Sequence, residues 1–310
     1  MRQAAALALD YEVDPHASGL ATGKTMTIGL VAPLFGLWYA DQVVVGAESV
    51  FSREGYDLLV TSVRDVDALE LFLGRARSFG RRIDGALLID LYAGGDQLDR
   101  LAALGVPAVS VGEDLGRWPS VSVDNQTAAA AATRHLLDLG HTRIGLIGGV
   151  QHNTLVAGAR TSTAGLGFGA RRGRSSGRSG AGLQRRIRGR RRRSGSVEAS
   201  RTRRSPDRGV LHDRGLGALD EARRRGMDVP GDLCIVGFDD DDIAESVGLS
   251  TMRQPVALLG ATAAELLLRL IAGDEPAEPA VDLPVELMVR DPVADALAER
   301  QRRRIQIRGR

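Results

Sequence analysis

The sequence predicts an α/β protein whose strands form parallel sheets with helices on both faces. Two observations lead to this fold class. Short β-branched runs alternate with longer stretches of helical spacing, and the same alternation resumes after an arginine-rich interruption. Strand–helix–strand units require right-handed crossovers, which produce a doubly wound parallel sheet. The 310 residues, 43% of them hydrophobic, are enough to bury a substantial core.

Apolar runs of strand length occur along both parts of the chain. The predicted strands are Met26–Pro33, Asp57–Val63, Ile83–Ile89, Val106–Val111, Ser120–Val123, His141–Gly148, Leu233–Phe238 and the extended run Val281–Val289.

Between these runs, apolar residues recur at helical spacing. The predicted helices are Ala40–Glu54, Val66–Arg81, Asp96–Leu104, Gln126–Leu139, Leu216–Arg225 and Leu258–Ile271.

The interruption is a block between Arg160 and Arg214 that holds 17 arginines against three acidic residues. The whole chain carries +2, so this block of +14 leaves −12 on the remaining residues. It has no apolar periodicity, and we therefore expect it to be disordered. Two interpretations remain open: a frame-shifted segment, or an Arg/Gly-rich arm that binds nucleic acid electrostatically. The single aromatic residue in the block, Phe168, favours the first.

Three separated stretches share one pattern: DPHASGLATGKTMTIGLVAP at 14–33, HTRIGLIGG at 141–149, and VPGDLCIVGFDD at 229–240 followed by STMRQP. Their order and spacing resemble the LacI/GalR family of bacterial transcription regulators. The resemblance implies two Rossmann-like subdomains with parallel sheets, of the periplasmic-binding-protein type, around a small-molecule cleft. A residual N-terminal helix and hinge would precede them.

The resemblance also divides the chain into segments. Residues 1–24 match the remnant of a helix-turn-helix headpiece and a hinge, so we expect the recognition helix to be missing. Residues 25–140 match the N-terminal effector-binding subdomain and residues 141–292 the C-terminal one, with the aberrant segment 160–215 inside it. Residues 293–310 form a basic tail.

The stretch SPDRGVLHD at 205–213, read one base later with one permitted codon choice, resembles a strand that the family has at this place. The likeness returns in frame at Leu216, so we expect compensating frameshifts at the two ends of the block.

Five residues match effector-contacting positions of the family. Asp239 follows the strand Leu233–Phe238, at an edge where open α/β sheets bind ligands. The alternative interpretation is that the run DDDD at 239–242 caps the next helix. Asp90 follows Ile83–Ile89 and is either a second contact or a helix or turn cap. The other three positions are Trp38 and Tyr39, which stack on a ligand or pack the subdomain seam, and Arg160 at the edge of the block.

At Gly112 the polar contact common in the family is absent, which argues against a typical sugar ligand.

The hinge-like stretch ASGLATGKT points to DNA. Relatives insert a hinge-helix leucine into the minor groove, and Leu20 is the matching residue, with Ser18, Thr22 and Lys24 beside it. An unstructured linker is the alternative, since Gly19 weakens a helix by about 1 kcal/mol.

The function implied is a ligand-responsive, repressor-type transcriptional regulator that senses a sugar or similar molecule. Its partners would be operator DNA, bound weakly by this chain, and a second copy in a homodimer. We expect no enzymatic activity, cofactor, metal or membrane partner, and a cytoplasmic location. The alternatives are a solute-binding protein of the same fold serving transport, an α/β enzyme, or a non-functional frame-shifted product.

Overall fold

The computed structural model describes residues 24–147, 208–212 and 215–290, which form two compact units. Within the described residues, the first unit contains 24–122 and 256–282, and the second contains 123–147, 208–212, 215–255 and 283–290. Each unit is built around its own sheet. The predicted fold class, α/β with parallel sheets in two subdomains, is confirmed.

The first sheet has six strands among the described residues, with helices between them. In chain order the elements are β1 (Thr27–Ala32), α1 (Trp38–Phe51), β2 (Asp57–Ser62), α2 (Val66–Gly74), α3 (Ala76–Gly80), β3 (Gly85–Ile89), α4 (Asp96–Leu101), β4 (Ala108–Val111) and β5 (Ser120–Val123).

The second sheet has five strands in the described part of the chain. Its elements are α5 (Asn125–Asp138), β6 (Arg143–Ile147), β7 (Arg208–His212), α6 (Gly215–Arg224), β8 (Cys234–Asp239), α7 (Asp242–Ser246) and β9 (Ser250–Arg253). The chain then contains α8 (Val256–Ala272) and β10 (Ala280–Leu283) of the first unit, and β11 (Glu286–Met288) of the second.

The strand order of the first sheet is β10-β5-β4-β3-β1-β2, and β1 to β5 pair in parallel. That of the second sheet is β11-β9-β8-β7-β6, parallel except for the antiparallel edge pair β11–β9. Both sheets bury apolar side chains at their centres: Leu30 and Leu87 in the first and Ile235 in the second are fully buried. Continuous apolar strands of this kind are typical of parallel sheets covered on both faces.

Helix α8 and strand β10 correct the predicted domain boundaries. We expected all of 141–292 in the second subdomain, but α8 packs against α1 of the first unit. Two glycines permit this close crossing. A Cβ on Gly46 would lie 1.8 Å from the carbonyl oxygen of Ala257, and one on Gly260 would lie 2.1 Å from that of Val43. Strand β10 joins the same sheet, where Ser122 donates to Asp282 at 2.6 Å.

Helix α5 is a second correction, because we placed it in the first subdomain, within 25–140. It packs instead against β7, β9 and β11 of the second unit. Its small buried face, including Ala128, Ala129 and Ala132, joins a core cluster with Val236 and Met252.

Two predicted elements are divided in the structure, and the expectation for the arginine-rich block is wrong in part. The helix predicted over Val66–Arg81 is two helices, because Arg75 leaves the helical region with φ −115° and ψ 7°. The extended run Val281–Val289 divides at Pro284 into β10 and β11. The expectation that the whole block is disordered is wrong for β7, which pairs in parallel with β6 and β8.

Candidate ligand-binding site

The carboxyl edge of the first sheet contains the position where ligands bind in open α/β folds. The strand order reverses direction between β1 and β3, and such switch points leave a crevice beyond the strand ends. Trp38 and Tyr39 follow β1, and Asp90 follows β3 directly. Three of the predicted effector positions therefore follow the neighbouring parallel strands β1 and β3 on either side of the switch point.

Tyr39 and Asp90 meet at Gly112, the residue after β4. The Asp90 amide donates to the Val111 carbonyl at 2.8 Å, which holds the two strand ends side by side. A Cβ placed on Gly112 would lie 2.6 Å from the Tyr39 hydroxyl and 3.8 Å from Asp90 Oδ1. The phenol and the carboxylate thus border the same small volume.

Trp38 adds a hydrogen-bond donor at this edge. Its indole nitrogen is buried and has no acceptor among the described residues. Buried polar atoms are nearly always paired, so an orphaned indole N–H calls for an explanation.

The backbone at the two predicted aspartates is unusual. Asp90 has φ +48° and Asp239 has φ +84°, in the left-handed region that favours glycine. Asp240 and Met26 are the other non-glycine residues with positive φ in the part of the chain described. Strained backbone of this kind concentrates at functional sites, where the surrounding structure holds it in place.

Asp239 lies at the carboxyl end of β8 in the second unit, opposite Arg253 in the strand register. Gln254, the residue directly after β9, is 8% exposed, and its Nε2 donates to Asp239 Oδ1 at 2.5 Å. This hydrogen bond orients the Asp239 carboxylate.

Asp240 is held by two arginines. Its side chain is 4% exposed and accepts from Arg290 Nη1 at 2.6 Å and Arg253 Nε at 2.7 Å. Burial acts to raise the pKa of this carboxyl, but the hydrogen bonds and charges of Arg290 and Arg253 outweigh it and lower the pKa. The same contact raises the pKa of the Arg290 guanidinium. Asp240 therefore remains charged and anchors the chain beside Asp239.

The helix-capping interpretation of the DDDD run applies to a different aspartate. Asp241 is the N-cap of α7 and accepts from the Ala244 amide at 3.1 Å. Asp239 does not fill that position. Likewise, the N-cap of α4, the helix after Asp90, is Gly95.

Comparison with known proteins agrees with this architecture. Residues 133–293 match the periplasmic binding protein-like domain. Catabolite control protein A of Priestia megaterium is 25% identical over 91% of this chain and 86% of its own length. The transcriptional regulator CelR of Thermobifida fusca is 28% identical over the same shares. The chain belongs to the periplasmic-binding-protein-like family and is a LacI-type regulator.

A solved structure of the lac repressor dimer, bound to operator and an anti-inducer, superposes on this LacI-type chain with a TM-score of 0.74. It covers 94% of this chain and 88% of the repressor chain at 23% identity, and it supports the fold.

Several predicted positions of the LacI-type chain lie outside the described residues. These are Arg160 at the ligand site and Ser18, Leu20 and Thr22 in the hinge. Lys24 lies within the described residues, and its side chain is exposed. It precedes Thr25, whose amide and hydroxyl donate to Asp84 at 2.7 Å and 2.9 Å. The chain is thus anchored to the first unit directly after the hinge position.

Sequence reasoning missed Gln254, Arg253 and Arg290 as neighbours of the two aspartates. The stretch STMRQP contained a signal, since it belongs to the family resemblance, but the register between β8 and β9 was needed to place Gln254 on Asp239.

In the described residues, no helix has the length and apolar character needed to cross a membrane. No group of three or more His, Cys, Asp or Glu there is arranged to hold a metal ion.

Proposed function

We propose that this chain is a ligand-responsive, repressor-type transcriptional regulator whose effector is a sugar or a similar hydroxylated molecule. The observation that carries the proposal is the left-handed backbone of Asp90 and Asp239, each at the carboxyl end of a parallel strand. Strain of about 1 kcal/mol or more per residue persists where neighbouring contacts maintain it. Ligands of open α/β sheets bind at the carboxyl ends of the strands, where both aspartates lie.

The chemistry of these edges suits hydroxyl groups. The two carboxylates accept hydrogen bonds, the Tyr39 phenol donates and accepts, and the Trp38 indole N–H donates. Aromatic faces beside a carboxylate also match the apolar and polar faces of a sugar ring. One structural relative, with a TM-score of 0.67 and 22% identity, is the transcriptional regulator CelR in complex with cellobiose.

We further propose that the regulator acts as a homodimer on operator DNA through its N-terminal segment, including Ser18, Leu20, Thr22 and Lys24. The lac repressor in the solved structure is a dimer on its operator. Sedimentation of the purified chain should give the mass of a dimer, and a monomer at micromolar concentration would contradict this part of the proposal.

The ligand is tested by thermal unfolding of the full chain with cellobiose, maltose, D-xylose or D-ribose. A ligand at a hundred times its Kd stabilises the folded state by about 2.7 kcal/mol, so at least one sugar should raise the melting temperature. The variants Asp90→Asn and Asp239→Asn should reduce that increase, since hydrogen bonds to charged groups contribute about 1.5–3 kcal/mol.

The matched control is Asp242→Asn, which changes an exposed aspartate of the same acidic run. This variant should retain the full increase. The proposal is wrong if none of the four sugars raises the melting temperature, or if both site variants respond as the wild type does.

A further inference from the structure

Asp84 binds the chain at the point where the N-terminal segment leaves the first unit. Its Oδ1 accepts from the Thr25 amide at 2.7 Å and from the Thr25 hydroxyl at 2.9 Å, and its Oδ2 accepts from the Met26 amide at 3.0 Å. We propose that Asp84 is a positioning residue for DNA binding, because this contact sets the direction in which the N-terminal segment leaves the sheet. The inference rests on the proposed function, which assigns DNA binding to that segment.

The backbone of Met26 shows that the contact fixes a direction. Met26 has φ +50°, in the left-handed region that residues with a Cβ rarely adopt. A conformation of this kind costs free energy and persists only where neighbouring groups hold it. Without the Asp84 carboxylate, Met26 can return to the extended region, and the residues before it then leave the sheet in another direction.

The groups that hold Met26 lie at the amino ends of three neighbouring strands of one sheet. Asp84 directly precedes β3, and its own amide donates to the Thr27 carbonyl of β1 at 2.8 Å. The Asp57 amide of β2 donates to the Met26 carbonyl at 2.9 Å. This Asp57 contact is made by the backbone and remains when its side chain is changed. The Asp84 carboxylate, in contrast, can be removed by substitution.

The sequence supplies a single-site probe of this contact, because Lys24 is the one lysine among the 310 residues. A lysine-specific protease therefore cuts the full chain at one bond, between Lys24 and Thr25, whose amide Asp84 binds. Proteolysis of a folded protein follows the population of the locally opened form. Asp84→Ala should therefore speed this cut about tenfold or more, the value of one hydrogen bond to a charged group.

Asp57→Asn is the matched control. It removes an exposed carboxylate from the same edge of the sheet and keeps the amide that binds Met26, so it should be cut as slowly as the wild type. Asp84→Asn retains one acceptor oxygen and should be cut at an intermediate rate. This milder variant decides the question if Asp84→Ala does not fold.

Urea denaturation separates local release from global unfolding. The hydrogen bonds of Asp84 to Thr25 and Met26 are exposed, so their loss should change the global stability little. An unchanged rate of cutting in both Asp84 variants overturns the proposal. So does a faster cut that is matched by an equal loss of global stability.

The DNA arm uses duplexes that the wild-type chain selects from a random-sequence pool at low salt. Asp84→Ala should bind the selected duplex about tenfold more weakly, because the released segment must be ordered on binding. Its response to sugars in the melting assay should remain, since Asp84 and the proposed ligand contact Asp90 lie at opposite ends of β3. A merely structural defect would weaken both.

The outcomes distinguish the two proposals. If the wild type selects a duplex and Asp84→Ala binds it equally well, the positioning role is wrong while the proposed function stands. If the wild type selects no duplex, both the proposed DNA binding and the positioning role are wrong. The rates of cutting at Lys24 then decide only whether Asp84 holds the junction.

Discussion

Among individual residues, Asp240 has the clearest energetic role. Its carboxylate is almost fully buried, and both of its oxygens accept from arginines. The variant Asp240→Asn would leave Arg290, whose side chain is 14% exposed, without its counter-charge. We expect a loss of about 3 kcal/mol, the lower end for a buried pair, because Arg253 is partly exposed. Urea denaturation at pH 7 measures this loss in the free energy of unfolding. The matched variant Asp242→Asn should change that free energy little.

The same residue sets a pH dependence. Because the folded pKa of Asp240 is lowered, its ionised form stabilises the protein above the unfolded value of about 3.9. That contribution is lost as the pH falls through the folded pKa. The difference in unfolding free energy between the wild type and Asp240→Asn should therefore shrink as the pH falls below about 3.9. A difference that stays constant from pH 7 to pH 3 would show that the ion pairs do not cause it.

The run of four aspartates shows what sequence can and cannot assign to single residues. Asp239 pairs with Gln254, Asp240 binds two arginines, Asp241 caps a helix and Asp242 is exposed. Their common position after a strand predicts an acidic edge. The division of roles depends on the register between β8 and β9, and on the contact of Asp240 with Arg290, a residue far from the aspartates in sequence.

At the scale of elements, the crossing of α1 and α8 depends on glycine. The backbone of each helix reaches the other at Gly46 and Gly260, where carbonyl oxygens occupy the space of a side chain. The residues Val43, Ala47, Leu259 and Ala263 around this crossing are fully buried. Small residues at this point let the two helices approach more closely than side-chain packing permits.

The variant Gly260→Ala should therefore destabilise the protein. Overpacking a close contact costs about 1–3 kcal/mol, which exceeds the gain of up to about 1 kcal/mol from the better helix former. Gly74→Ala is the control, because Gly74 ends helix α2 and nothing lies within 4 Å of a Cβ there. It should be neutral or slightly stabilising in a thermal melt. Equal melting temperatures for the two variants would mean that the helices separate without cost.

Element types were predictable from apolar spacing, whereas some boundaries were not. The central strands Thr27–Ala32, Gly85–Ile89 and Ala108–Val111 follow runs that are mostly apolar in sequence. The break at Arg75 leaves no mark in that spacing, because the apolar residues on both sides of it point to the same core. Strand β7 was missed because the surrounding arginines hide a short run, and its parallel partners on both sides are remote in sequence.

At the scale of the whole molecule, each unit is assembled from segments that are not contiguous. The described chain passes between units after Ser122, after Pro255 and after Asp282. Sequence patterns report the period of each element but not the neighbour it packs against. The predicted boundaries at residues 140 and 292 therefore assumed that each subdomain is one continuous stretch of chain. The buried face of α8 contains small and leucine residues that suit either sheet.

This assembly has a consequence for fragments of the chain. A chain cut after Pro255 keeps α1 and strands β1 to β5 but loses α8 and β10, which pack on that sheet. Val43 and Ala47 would become exposed, and burying side chains of that size contributes about 25 cal/mol per Å² of apolar surface. We therefore expect the first unit of this fragment to lose cooperative unfolding and to exchange its backbone amides rapidly, including those of β1 and β3.

A chain cut after Arg290 retains both elements and should protect these amides as the full chain does. Slow exchange in β1 and β3 of the shorter fragment would show instead that residues 24–122 fold without the returning helix.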